Sequence, residues 1–297
     1  MQGSDAAKGR LLLVLLIFGW GVTWPMMRIA LVEIPPFSMR VGNLFIGALT
    51  LATVALVQGR RIAIPNARTG LHLLIAALLN IVGFSIFTPF AQLAAATSRV
   101  TIVVYTMPIW ASLLAWPVLG ERLDAIRAVA LLLCVAGMGV LVYPLASRGI
   151  PVGILFALGA AVSWGAGTVY LKWARLGGDP ISITIWQIVI ALIVIAACLP
   201  VFEGSLHVAS AGATSLFALV FTGMIGTGIS YFLWFDIVRR LPAATASLGI
   251  LSVPVVGVIA SVVLLGERPM LTDIAGLVLI FAASACVLLR PQAARTP

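Results

Sequence analysis

Charge is what this 297-residue chain lacks most: Lys and Arg number 18, Asp and Glu only 9, and charged side chains make up 9 % of the total. A surface facing water needs roughly 25 % charged residues to stay solvated, so a soluble globular domain is excluded. Disorder is excluded as well, because 62 % of the residues are hydrophobic. Histidine is nearly missing. His72 and His207 stand alone, with no Cys, Asp or Glu at ligand spacing around either, so no metal is expected. Cys134, Cys198 and Cys286 lie far apart in apolar stretches, which offers neither a disulfide framework nor a metal cluster; they read as small packing residues. No Gly-x-x-x-x-Gly-Lys-Ser/Thr run occurs, so direct ATP coupling is not expected, and no cofactor is called for. A net charge of +9 would suggest nucleic acid in a soluble protein, but in a chain this apolar it marks loops on the cytoplasmic side of a membrane.

Long apolar runs fill the space that charge leaves. A helix crossing the hydrocarbon core needs about 20 such residues. Spans of that kind fall at 11–32, 37–58, 70–94, 98–118, 123–145, 151–172, 180–202, 212–238, 242–265 and 271–290. Lys8 and Arg10 followed by an apolar run look like a signal peptide. No small-residue cleavage site follows, however, and the run continues through Trp24, so it reads as the first span. Loop charges fix the orientation, since Lys and Arg collect in the cytoplasm. With both termini inside, Lys8, Arg10, Arg60, Arg61, Arg68, Arg122, Arg127, Lys172, Arg175, Arg239, Arg240, Arg290 and Arg295 face the cytoplasm, and only Arg28, Arg99, Arg148 and Arg268 face out. The expected location is a bacterial-type inner membrane, with cytoplasmic N and C termini.

The chain also repeats. Trp20-Gly21 recurs 144 positions on as Trp164-Gly165, and Pro36-x-Ser38 as Pro180-x-Ser182. Pro108 recurs 146 positions on as Pro254, and Gly120-Glu121-Arg122 as Gly266-Glu267-Arg268. Five spans per half is an odd number, so the second copy must enter the membrane upside down. The expected fold is an all-α membrane protein of ten transmembrane helices in two inverted five-helix repeats, residues 1–148 and 149–297. Inverted halves are a physical basis for alternating access.

Polar groups inside a bilayer cost energy, about 2.5–3.5 kcal/mol for a centred Arg or Asp on insertion scales, so those present are informative. The acids lie in loops or at helix ends except Asp236, whose spacing to Arg239 and Arg240 reads as a local ion pair on one helix face. Without a central carboxylate there is no proton relay and no counter-charge for a lipophilic cation. Arg40 has two readings: it snorkels to the external interface along its stem, the plainer one, or it meets a substrate carboxylate or orders a gate. Asn43, Asn80 and Gln187 must find partners in the bundle or a wet cavity. Trp20, Trp24, Tyr105, Trp164 and Tyr231 are the aromatic candidates for a pocket wall, with Thr168 as a hydroxyl partner. For all of these, interhelical packing and interfacial anchoring are the plainer alternatives. Pro108 and Pro254, at matching depth, should kink their helices and are the candidate gating residues.

Two halves of five spans, Trp-Gly in the first helix of each, Arg40 in the second, a mid-helix Pro in the fourth and then Leu-Gly-Glu-Arg (Leu119 to Arg122, Leu265 to Arg268) resemble the EamA type of the drug/metabolite transporter superfamily. The aromatic-rich, acid-poor interior looks most like the YddG-type amino-acid exporters within it. The resemblance implies an exporter with a central cavity between the halves, lined chiefly by the first, third and fourth helix of each, with the fifth and tenth helices outside it. Its implied partners are a small-molecule substrate, such as a neutral amino acid, and the lipid bilayer, with a single copy as the working unit. Position 184, which matches Arg40 in the second half, is Thr184, so any role of Arg40 belongs to one half. Export of other metabolites or drugs stays open, as does a channel. A channel would want a charged ring or a carbonyl filter, and an intramembrane hydrolase a nucleophile with its base; neither is visible, and no enzyme activity is expected.

Overall fold

A computed structural model of the chain describes residues 2–63, 66–120, 125–146, 151–241 and 249–288. Glu121, Arg122, Asp124, Arg148, Arg290 and Arg295 lie outside the described residues, as do the first residues of the expected ninth span. Among the described residues there is no strand, and ten apolar helical spans follow one another. They are α1 (Gln2–Ala30), α2 (Pro36–Val57), α3 (Ala67–Ala94), α4 (Thr97–Leu119), α5 (Ala125–Ala146), α6 (Val152–Ala174), α7 (Pro180–Phe202), α8 (Ala213–Ile237), α9 (Gly249–Leu265) and α10 (Leu271–Leu288). Seven are long and apolar enough to cross a membrane by length and composition, and stretches of α5, α9 and α10 are shorter apolar helices. The α1 helix starts at Gln2 rather than 11, because a hydropathy run marks the membrane-embedded part of a helix and not where its hydrogen bonding begins.

Helix ends follow from local chemistry. Pro36 and Pro180 open α2 and α7 at the first turn, where a missing N–H costs nothing. Asp179 caps α7 by accepting from the Ser182 N–H at 3.1 Å. Gly120 and Gly266 close α4 and α9 in the left-handed region, at φ 69° and 66°, which explains the glycine of the repeated Gly-Glu-Arg motif.

The halves exchange equivalent partners. α1 packs on α9 as α6 packs on α4, α2 on α8 as α7 on α3, α2 meets α7, and α5 runs along α10. At the first of these crossings a Cβ on Gly21 would stand 2.5 Å from the Val256 side chain and 3.2 Å from the Gly257 backbone nitrogen. At the second a Cβ on Gly165 would stand 2.9 Å from the Ala111 backbone nitrogen. Gly21 and Gly165 are the glycines of the two Trp-Gly motifs, so the motif provides close approach of each half's first helix to the fourth helix it crosses.

Two departures from α geometry also pair. π-helical segments occupy Leu78–Val82 in α3 and Thr222–Ile229 in α8, the third helix of each half. α4 and α9 are broken rather than bent. α4 consists of Thr97–Val104 and Met107–Leu119, with Tyr105 and Thr106 in the turn between, and Ser252 takes the corresponding position before Val253–Leu265. Pro108 and Pro254 therefore stand in the first turn of a new helical segment instead of kinking a continuous one: each lacks the N–H that would bond the carbonyl four residues back and carry the upstream helix through. The Thr106 hydroxyl covers the break by donating to Val103 O at 2.7 Å.

Candidate functional site

A cavity of about 610 Å³ runs into the bundle between the halves. It is walled by α1, α2, α3 and α4 from the first half and α6, α7, α8 and α9 from the second; α5 and α10 take no part. The second helix contributes more than the resemblance implies, through Met39, Arg40, Asn43 and Leu44. At one end the lining reaches Leu119, Thr168, Lys172 and Trp234, near the ends of α4, α6 and α8 on the side where α1 begins. At the other end it stops at Met27, Met39 and Arg40.

Beyond that blind end the two halves are fastened together. Glu203, after α7, accepts from the Phe37 and Ser38 N–H groups at 2.7 and 2.8 Å and from the Ser38 hydroxyl at 2.8 Å, capping α2 of the other half. Glu267 of the second Gly-Glu-Arg motif caps α4 in the same way, accepting from the Thr97 and Ser98 N–H groups at 2.6 and 2.9 Å. Glu33 accepts from the Gly212 N–H at 2.8 Å at the start of α8. A carboxylate on unpaired N–H groups at a helix N-terminus is a charge-assisted contact favoured by the helix dipole. Arg99 of α4 pairs with the buried Asp273 of α10 at 2.6 Å. The Ser215 hydroxyl and the Gly212 N–H hold the Glu33 carboxyl below the usual 4.5. On the α1 N-terminal side the described ion pairs are Arg60 with Asp179 at 2.6 Å and Asp236 with Arg240 at 2.9 Å. The second is the local pair expected from the sequence.

Most of the aromatic candidates converge. Trp20 donates its indole N–H to Gly226 O at 3.0 Å and meets Tyr231 edge-on, with centroids 6.2 Å apart. Phe84 stands between Trp24 and Trp164, at centroid distances of 6.3 and 5.2 Å, and Trp24 also contacts Tyr105 at 6.3 Å. Trp20, Trp24, Asn43, Tyr105, Trp164, Thr168, Tyr231, Arg40 and Pro108 all line the cavity.

Two expected wall residues, Asn80 and Gln187, do not, nor does the gating candidate Pro254. Asn80 sits in the π segment of α3, where Gly167 of α6 leaves room for it: a Cβ at 167 would stand 2.5 Å from the Asn80 Cβ. Gln187 is buried in α7 while its neighbour Ile188 lines the cavity, because adjacent helical residues point about 100° apart. Pro254 is buried in α9, and Ile250 and Leu251 take the wall position. Arg40 needs the opposite correction. It does not snorkel to an interface; it is 8 % exposed and held inside by Ser85, Thr88 and Met27. The polar wall residues Thr23, Thr222, Thr227, Ser112 and Lys172 are not among the sequence candidates. Thr222, Gly226, Thr227 and Tyr231 share the wall because the π segment widens the turn, which a 3.6-residue repeat does not anticipate.

A two-part helical bundle of ten apolar spans, with a cavity of about 610 Å³ lined by both parts, fits a polytopic membrane transporter. The sequence matches the model of the EamA-like transporter family twice, over residues 7–143 and 151–289, and the chain belongs to that family. The chain is 26 % identical over 269 residues to an uncharacterized transporter of Bacillus subtilis, YoaV, with 88 % of this chain and 90 % of that one covered. A probable amino-acid metabolite efflux pump of Salmonella typhimurium is 23 % identical over 284 residues, covering 93 % of each. A solved crystal structure superposes with a TM-score of 0.67 at 23 % identity, over 95 % of this chain and 97 % of that one, which shows the shared fold.

Proposed function

We propose that the protein is a secondary transporter that exports small metabolites, foremost neutral amino acids including aromatic ones, by alternating access across a bacterial-type inner membrane. Its N and C termini face the cytoplasm, and its two five-helix units meet near residue 148. One observation carries the reading: a cavity of about 610 Å³, large enough for an amino acid, whose lining runs from Leu119, Lys172 and Trp234 on the α1 N-terminal side to Met27, Met39 and Arg40. With cytoplasmic termini this is the inward-facing state, ready to load cargo for export. Aromatic walls at Trp20, Trp24, Tyr105, Trp164 and Tyr231 give an apolar side chain its contacts, and hydroxyls and amides at Thr168, Asn43 and Thr227 take polar ends. The distant likeness to proteins named amino-acid metabolite efflux pumps supports the same substrate class.

Counterflow of labelled amino acids in proteoliposomes tests the proposal. Uptake against unlabelled substrate inside, lost in empty vesicles, is the expected result. Movement of lipophilic cations but of no amino acid would overturn it. Trp164→Ala should shift the preference between large and small amino acids; unchanged transport of both would remove Trp164 from the pocket.

A further inference from the structure

We infer that Arg40 binds the carboxylate of the transported molecule, and that the cavity recognises a carboxylate on an apolar body without requiring an ammonium group. The inference rests on the reading of the cavity as the substrate site and narrows its ligand class.

Arg40 stands at the blind end, nine-tenths buried and in the cavity wall. Its fixed contacts are all to neutral groups: Nε donates to Ser85 O at 3.0 Å, and Nη2 to the Thr88 hydroxyl and to the Met27 sulfur, the latter at 3.2 Å. A thioether is a weak acceptor. Both hydrogens on Nη1 are without a protein partner among the described residues. The frame therefore aims the guanidinium from α1 and α3 but does not neutralise it. A buried cation left in that condition is costly inside a membrane and marks a binding function. A carboxylate accepts a charge-assisted bond from Nη1 and balances the guanidinium charge, which an ammonium or a neutral hydroxyl cannot do.

Neighbouring groups point the same way. Asn43 lies one turn along the same face of α2. Its Oδ1 accepts from the Thr227 hydroxyl at 3.3 Å, which leaves the amide nitrogen as a second donor beside Arg40. The matching position in the other half, Thr184, bonds back to Pro180 O at 2.9 Å and adds no charge. No acid lines the cavity among the described residues. An anion is thus met by donors, whereas an ammonium group finds only neutral acceptors.

The test uses three ligands sharing one phenyl body and differing at the charged end. L-phenylalanine, phenylpyruvate and phenethylamine are titrated against the full-length protein in nanodiscs, read by tryptophan fluorescence, beside amino-acid counterflow. Phenylpyruvate should bind within about threefold of phenylalanine, and phenethylamine on the order of tenfold or more weaker. Arg40→Gln should weaken both acids by on the order of tenfold without weakening the amine. If that variant fails to fold, the wild-type series decides alone. Binding of phenylalanine without phenylpyruvate overturns the inference and leaves amino-acid export standing. Amine binding equal to that of the acids also overturns it. If no acid binds and counterflow is absent, the amino-acid reading falls and the inference with it.

Discussion

Trp20 and Gly226, 206 residues apart, are joined by a hydrogen bond of 3.0 Å from the indole N–H of α1 to a carbonyl inside the π segment of α8. The bond couples a wall residue of the cavity to the least regular stretch of a transmembrane helix. π segments are common where a helix must adjust. Gly226 itself is pressed against α1, since a Cβ there would stand 2.5 Å from the Thr23 hydroxyl oxygen. Trp20→Phe keeps an aromatic ring and removes the donor, and is expected to cost about 1 kcal/mol of stability and to slow counterflow. Gly226→Ala must separate the helices and should cost about 1–3 kcal/mol. Thermal unfolding in detergent checks both; wild-type midpoints for the pair would mean that this contact does not matter.

The Trp-Gly motifs make a second, symmetric prediction. Gly21→Leu and Gly165→Leu should each destabilise the bundle, by roughly 2 kcal/mol or more, because each pushes a first helix off the fourth helix it crosses. Gly139, with nothing within 4 Å of its Cβ position, is the control, and Gly139→Ala should leave the midpoint where it is or raise it. Tolerance at Gly21 together with loss at Gly165 would show that the two crossings are not equivalent.

These contacts are legible in the sequence through its internal repeat. Trp-Gly, Pro and the glycine of Gly-Glu-Arg each recur because each solves a geometric problem once per half. Span count and order are legible too, since about 20 apolar residues per crossing leave little freedom. The inward burial of Arg40 is not, because a residue one turn from a helix end reads equally as a snorkelling side chain. Asn80, Gln187 and the threonines of α8 escape sequence reasoning for a related cause: which face of an apolar helix meets the cavity depends on its neighbours, and the π segments shift that face part-way along.

Glu33 offers a titration. Its carboxyl lies below the usual 4.5 because the Ser215 hydroxyl and the Gly212 N–H favour the charged form. A group depressed in the folded state contributes stability above its unfolded pKa, and that contribution disappears as pH falls through the folded value. Wild type should therefore lose stability more steeply than Glu33→Gln on acidification below about pH 4.5. Parallel unfolding midpoints for the two proteins across that range would place the acid sensitivity elsewhere.

Sidedness follows from the charge sorting and the odd-numbered repeat. Single cysteines at Arg122 and Arg268, in a background without Cys134, Cys198 and Cys286, should label from opposite faces of sealed inverted vesicles, Arg122 from the cytoplasmic side. Labelling of both from one face would end the inverted arrangement of the two units.

Pro108 and Pro254 provide the test of gating. Each stands in the first turn of a helix that restarts after a break, and each withholds the N–H that would otherwise bond the carbonyl four residues back. Tyr105, Ile250 and Leu251, at or beside those breaks, line the cavity, so a change in the break moves the wall. Alanine would let the upstream and downstream segments join into one continuous helix and stiffen the bend there. Pro108→Ala and Pro254→Ala are expected to slow counterflow by about threefold to tenfold while changing substrate affinity less, as for a conformational step. If both single variants exchange substrate at the wild-type rate, the breaks only shape the cavity and do not gate it.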